Sequence, residues 1–187
     1  GETQKQAVSR IRGEAHFLRA AYYFWLVNLY GKPYQESTAS TDLGVPIKTT
    51  EYIEDKIFQR NTVEEVYAQI LKDLKQAEEN LKDARRKSVY RADITAVYLL
   101  RSRVALYMQD WETAKSYARK VLEKNNTLVD MNTWKEGEGG FVSKTSVETI
   151  FSMGANHLGE FVSFRVGGFG VSDDLLSQYK DGDLRRN

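Results

Sequence analysis

Apolar residues recur every three or four positions in four stretches of the chain, and this spacing predicts four α-helices. Over 5–30, Val8, Ile11, Ala15, Leu18, Tyr22, Leu26 and Leu29 draw one apolar stripe, which the pattern assigns to the core. Gly31 and Pro33 then end the helix. Over 62–82 the stripe is Val63, Val66, Ile70, Leu74, Ala77 and Leu81. Thr62 with Glu65 three residues on makes a capping box, in which each side chain satisfies a backbone N–H at the helix start. Burying such a stripe contributes about 1.5–3 kcal/mol per large side chain before the entropy of ordering is subtracted. Over 92–108, Ala92, Ala96, Leu99, Leu100, Val104 and Tyr107 share a side. Over 111–124 the set is Trp111, Ala114, Tyr117, Ala118, Val121 and Leu122. Only Gln109 and Asp110 separate these last two helices, and Asp110 is a good N-cap, so the pair must fold as an antiparallel hairpin. Ala105, Ala114 and Ala118 let its two members approach closely.

The hairpin follows the tetratricopeptide pattern of an aromatic turn between small-residue helix faces. Val27-Asn28-Leu29-Tyr30 echoes Val104-Ala105-Leu106-Tyr107 at an offset of 104 − 27 = 77 residues. One repeat of ~34 residues is too short for that offset. Two helix pairs fit it, provided the first carries an insertion. Residues 31–61, polar and without helical period, supply one. After about residue 127 the periodicity stops. Gly137, Gly139 and Gly140 mark a loop, Thr149–Met153 reads as a short strand or extended segment, and Gly167, Gly168 and Gly170 mark a second loop. Val171–Tyr179 reads as a short helix capped by Ser172. The expected fold is mainly α: tetratricopeptide-like antiparallel helix pairs with a long loop insertion and an irregular, partly extended C-terminal part at 127–187. Residues 1–187 are expected to form a single partial domain.

Charge narrows the function classes. Lys plus Arg is 27 and Asp plus Glu is 26, with the signs interleaved along the helices. A nucleic-acid-binding protein usually carries a basic excess on one face, so nucleic acid is not an expected partner. With no cysteine, disulfides and thiolate metal sites are excluded. No apolar run approaches the ~18 residues that a membrane span needs. The chain opens on Gly1 rather than Met and stops on Arg185-Arg186-Asn187, and both ends read as cuts in a longer protein.

The order of the motifs resembles the SusD/RagB family of outer-membrane nutrient-binding lipoproteins. Gly13-Glu14-Ala15, Phe17-Leu18-Arg19-Ala20, Tyr22-Tyr23-Phe24 and Leu29-Tyr30-Gly31 look like that family's first helix. Gly44-Val45-Pro46-Ile47 is similar to its short loop motif, and Arg60 with Thr62-Val63-Glu64-Glu65-Val66-Tyr67 to the start of its next helix. Arg91-Ala92, Arg103-Val104, Leu106-Tyr107-Met108 and Asp110-Trp111 match the helical hairpin. Glu148-Thr149-Ile150-Phe151-Ser152 and Asp183-Leu184-Arg185 close the series. Lys32-Pro33-Tyr34 and Arg101 depart from the family pattern, Arg101 standing where a small residue is usual. The resemblance implies a lipid-anchored protein on the outer surface of the outer membrane of Bacteroidota-type bacteria. It would deliver oligosaccharide or another nutrient to a SusC-type TonB-dependent transporter, with its anchoring cysteine upstream of Gly1. The rival reading is an intracellular tetratricopeptide-type peptide-binding adaptor, which predicts regular repeats without the 31–61 insertion.

Catalytic chemistry finds little to work with. The histidines are His16, inside a helix, and His157, in a loop, and no nucleophile elbow, phosphate loop or metalloprotease motif is present. Asp173-Asp174 and the Asp181/Asp183 pair suit helix capping and turns better than glycoside cleavage. Asp181-Gly182-Asp183 lacks the further ligands of a calcium loop. No enzyme activity, cofactor or metal is expected. Binding chemistry rests on aromatics, because the C–H faces of sugars lie against rings while polar side chains bond the hydroxyls. Tyr22, Tyr23, Phe24, Trp25, Tyr67, Tyr98, Tyr107 and Trp111 fall at helical spacing and are expected in the core. The glycan-binding candidates lie in loops: Tyr52, Trp134, Asn156, Phe164, Arg165 and Phe169.

Overall fold

The computed structural model describes residues 1–133, 143–154 and 172–183, which form two compact units, Gly1–Asn126 and Thr127–Asn187. The first unit holds α1 (Gln4–Tyr30), α2 (Val63–Leu81), α3 (Ile94–Tyr107) and α4 (Trp111–Leu122). The second contains the short α5 (Asp173–Leu176), capped by Ser172, whose hydroxyl accepts from the Leu175 N–H. In that unit Thr149–Met153 carries no strand, being in irregular backbone.

Side chains set each helix start. Thr3 with Gln6 and Thr62 with Glu65 close capping boxes, while the Asp93 and Asp110 carboxylates accept from the N–H groups of Ala96 and Thr113. The α3–α4 turn is equally specific. The Gln109 N–H donates to the Leu106 carbonyl and the Asp110 N–H to the Ala105 carbonyl, the paired bonds of a Schellman motif. That motif needs a left-handed residue after the cap, and Gln109 takes φ 61°.

α1 and α2 pack antiparallel. The Ser9 hydroxyl reaches Asn80 near one end, and Asn28 meets the Tyr67 hydroxyl near the other. They come close at Gly13, where a Cβ would stand 2.6 Å from Leu81 Cγ. α3 and α4 are likewise antiparallel, and the Ser102 hydroxyl donates to the Ala114 carbonyl at 2.8 Å, as the small residues allow. The two pairs stack with α1 and α3 parallel: Glu14 pairs with Arg91 just before α3, and the Phe24 ring meets Tyr107 at 5.0 Å near the far ends. The offset of 77 is therefore a structural repeat. Ala20 and Val27 of α1 and their counterparts Val97 and Val104 of α3 are all fully buried.

Every member of the α2 stripe, from Val63 to Leu81, is fully buried. α1 behaves differently. Its buried face is Gly13, Phe17, Ala20, Ala21, Phe24 and Val27, whereas the stripe expected in the core points outward. Ile11 is 56% exposed, Tyr22 51% and Leu29 73%. The helix is apolar on two sides, and the side with small residues won because it admits α2 at close range. The aromatic expectation is corrected in the same way. Tyr23, Phe24 and Tyr67 are core residues, but Tyr22, Trp25, Tyr107 and Trp111 are substantially exposed.

Polar groups inside the α1–α2 seam are paired. Asp73, 1% exposed, accepts from Arg19 Nε at 2.8 Å and Nη2 at 2.6 Å, from Gln69 Nε2 at 2.8 Å and lies 2.7 Å from His16 Nδ1. Burial pushes this carboxyl up, but the hydrogen bonds from Arg19, Gln69 and His16 outweigh it and hold Asp73 below the ordinary carboxylate range. His16 is thus a structural partner of Asp73. Arg101, the residue that departs from the family pattern, lies against Tyr117 with its guanidinium carbon 4.7 Å from the ring centre and reaches Glu78 at 3.5 Å. Its Nε is buried without a hydrogen-bond partner among the described residues.

Candidate functional site

The insertion at 31–61 has a fixed base and a free tip. Backbone pairing closes the base: the Gly44 N–H donates to the Asn61 carbonyl, the Asn61 N–H to the Val45 carbonyl, and Leu43 bridges Thr62. The Asn61 side chain accepts from the Ile47 N–H at 2.9 Å. The Arg60 guanidinium donates to the carbonyls of Gly44, Tyr30 and Leu43 at 2.7–2.9 Å, which ties the end of α1 to the start of α2. The carbonyls of Asp42 and Ala39 accept from the N–H groups of Val63 and Glu64, two donors that the first turn of α2 could not otherwise satisfy. The departing segment Lys32-Pro33-Tyr34 is seated as well, with the Tyr34 ring 4.9 Å from that of Tyr67 and Lys32 Nζ 2.5 Å from Asp42.

Tyr23 makes the last anchor. From inside α1 its hydroxyl donates to the Lys48 carbonyl at 2.9 Å and accepts from the Lys48 N–H at 2.8 Å. Beyond Lys48 the chain swings away from the helices, and Tyr52 (70% exposed), Ile53 and Ile57 stand in solvent. Polar contacts shape this tip locally. Lys48 Nζ folds back onto the carbonyls of Thr50 and Tyr52, at 2.8 and 2.5 Å. The Glu54 carboxylate takes up Lys56, the Thr50 hydroxyl and Lys48, bonds that lower its pKa to about 2, so it is charged at neutral pH. Lys56 also stands 4.8 Å above the Phe58 ring. The tip therefore presents one open aromatic ring beside a cluster of charged and hydroxyl groups, an arrangement suited to holding a polyhydroxylated ligand.

Of the six glycan-binding candidates, Tyr52 alone is placed. Trp134, Asn156, Phe164, Arg165 and Phe169 lie outside the described residues, as does His157. Two open clefts of about 680 and 310 Å³, one beside Lys5, Asn80 and Lys87 and the other along α4 at Glu112, Arg119 and Glu123, have no aromatic lining. Among the described residues no three carboxylate or imidazole groups cluster as a metal site, and no helix is long and apolar enough to cross a membrane. Sequence reasoning missed the exposed T-shaped pair of Tyr22 and Trp25, with ring centres 5.8 Å apart. Helical spacing concealed it, because that spacing does not say which apolar face is covered.

A family described as starch-binding and associating with the outer membrane matches residues 1–106. The starch-binding protein SusD of Bacteroides thetaiotaomicron is 32% identical over 119 residues, covering 60% of this chain and 19% of that protein. Among solved structures, a SusD-like carbohydrate binding protein from Bacteroides vulgatus superposes with a TM-score of 0.67 at 30% identity, over 81% of this chain and 31% of its own. A SusD superfamily protein from Bacteroides thetaiotaomicron gives 0.62 at 28% identity, over 70% of this chain and 28% of its own. The chain spans less than a third of the length of each of these relatives.

Proposed function

The chain belongs to the SusD-like family, described as starch-binding and associating with the outer membrane, and on that premise we propose that it forms part of a glycan-binding protein of the outer-membrane surface. In this reading the protein is held there by a lipid anchor and hands oligosaccharide, or another nutrient, to a SusC-type TonB-dependent transporter. It acts by binding alone, without cofactor or catalysis. The observation that carries the reading is the loop tip at residues 49–59. A fixed base of backbone bonds and the Tyr23 anchor carry a tip on which Tyr52 is exposed, its carbonyl bonded to the Lys48 ammonium that also reaches Thr50 and Glu54. An exposed ring on an anchored loop is open for a sugar face to lie against.

Trp134, Asn156, Phe164, Arg165 and Phe169 are proposed as further contacts. The test is isothermal titration of the full-length protein against a panel of polysaccharides. Binding to at least one is expected, with Tyr52→Ala weakening it by about 2- to 10-fold, the worth of one aromatic contact. Flat traces across the panel would remove the carbohydrate reading, and unchanged affinity in Tyr52→Ala would move the site away from this loop. Release of reducing sugar by the intact protein would refute the non-catalytic assignment.

A further inference from the structure

Charges that alternate along the sequence are gathered at one end of the helical unit. Ser9 meets Asn80, Lys87 meets Glu2 and Arg91 meets Glu14, so residues 1–14 and 79–91 lie together. These two stretches carry eight Lys and Arg against four Asp and Glu, an excess of four positive charges in a chain whose total is +1. Ion pairs neutralise the two carboxylates of 1–14: Glu2 takes Arg10 and Lys87, and Glu14 takes Arg10 and Arg91. Among the described residues none of the exposed Lys5, Lys82 and Arg85 makes an ion pair.

These three cations line the open cleft of about 680 Å³ between the start of α1 and the turn after α2. Small-ligand sites fall in the range of roughly 300–1,000 Å³. Ser9 and Asn80 bring a hydroxyl and an amide to the same lining, and Glu79 and Asp83 stand at its border, leaving the cations in excess. Such a mixed lining favours a ligand that carries hydroxyls as well as negative charge. Lys and Arg make charge-assisted bonds to an oxyanion, and carboxylates accept from hydroxyls. A bare phosphate chain has no hydroxyls to offer Glu79 and Asp83, which would repel it.

We propose that this cleft is a second glycan subsite, taking an anionic sugar. Lys5, Lys82 and Arg85 bind its sulfate ester or uronate carboxylate, and Glu79 and Asp83 accept from ring hydroxyls. The inference rests on the reading that the protein binds glycans, and it names a charged class among them.

Isothermal titration of the full-length protein against dextran, dextran sulfate and carboxymethyl-dextran tests it, since one backbone carries no anion, a sulfate or a carboxylate. At least one charged dextran should bind, with affinity falling about tenfold or more as salt rises from about 0.05 to 0.5 M. Joint substitution Lys5→Gln, Lys82→Gln and Arg85→Gln should weaken that binding about tenfold or more, as loss of three exposed ion pairs implies. The urea midpoint should not move, which separates a lost contact from a lost fold. Lys115→Gln, Arg119→Gln and Lys124→Gln together, on and just past α4, remove equal charge and should change affinity less than about twofold. Equal weakening in both triple variants would overturn the site in favour of attraction to net charge alone. A DNA duplex bound as tightly as the charged dextran would overturn the sugar assignment. Neutral glycans bound while both charged dextrans give flat traces would overturn this subsite and leave the proposed function standing. Flat traces against every glycan, neutral or charged, would overturn both.

Discussion

Replacing Asp73 by Ala removes the one acceptor that Arg19, His16 and Gln69 share in the α1–α2 seam. Breaking a buried charge pair from one side costs about 3–5 kcal/mol, because the partner charge is left without compensation. The Arg19 side chain is 34% exposed and that of His16 24%, so both regain some water, and the expected loss is about 2–4 kcal/mol. With a urea slope near 2 kcal/mol/M, the denaturation midpoint should fall by about 1–2 M. The variant to compare is Asp73→Ala together with Arg19→Leu: removing both charges should recover about 1 kcal/mol or more relative to the sum of the single changes. Sign and pH window follow from the lowered pKa. A carboxyl held lower in the folded than in the unfolded chain contributes stability that is complete above the unfolded value, and it is lost as pH falls through the folded one. The gap between wild type and Asp73→Ala should therefore be constant near neutrality and narrow only below the ordinary carboxylate range. Urea titration of the full-length protein at several pH values checks both points. A loss below about 1 kcal/mol, or a gap that grows on acidification, would refute the account of Asp73 as a paired, buried anion.

Changes at three further positions probe the frame. Gln109→Gly should stabilise the protein by up to about 1 kcal/mol, since glycine takes the left-handed angle of the α3–α4 turn without the Cβ penalty; Gln109→Val should do the reverse, and urea midpoints read both. Gly13→Ala, ordinarily favourable within a helix, should here cost about 1–3 kcal/mol, because the new methyl meets the fully buried Leu81 and the Asn80 Cβ; circular-dichroism melts decide the sign. Tyr23→Phe should cost about 1–2 kcal/mol and speed amide exchange at Lys48 and through 49–59, as the hydroxyl that bridges the Lys48 N–H and carbonyl is lost; unchanged exchange there would mean that Tyr23 does not anchor the loop.

What local sequence could determine, it did. Thr62, Asp110 and Ser172 cap helices because the capping bond joins residues two or three apart, so no distant part of the chain takes part in the choice. The α3–α4 hairpin follows from a two-residue connection, and the α2 stripe from a helix with only one apolar side. The ordered motifs were enough to reach the family. Distant pairing was illegible. Asp73 stands 57 residues from His16 and 54 from Arg19, and nothing near any of them marks the partner. Tyr23 sits in an aromatic run that spacing alone reads as core, yet its hydroxyl is what holds the loop that carries Tyr52. α1 shows the limit most clearly. Periodicity finds an apolar face but cannot rank two of them, and the face that went inside is the one whose Gly13 lets α2 come close at Leu81. Burial is decided by which surfaces fit together, a property of two elements at once, so only the tertiary structure could turn Tyr22, Leu26 and Leu29 outward.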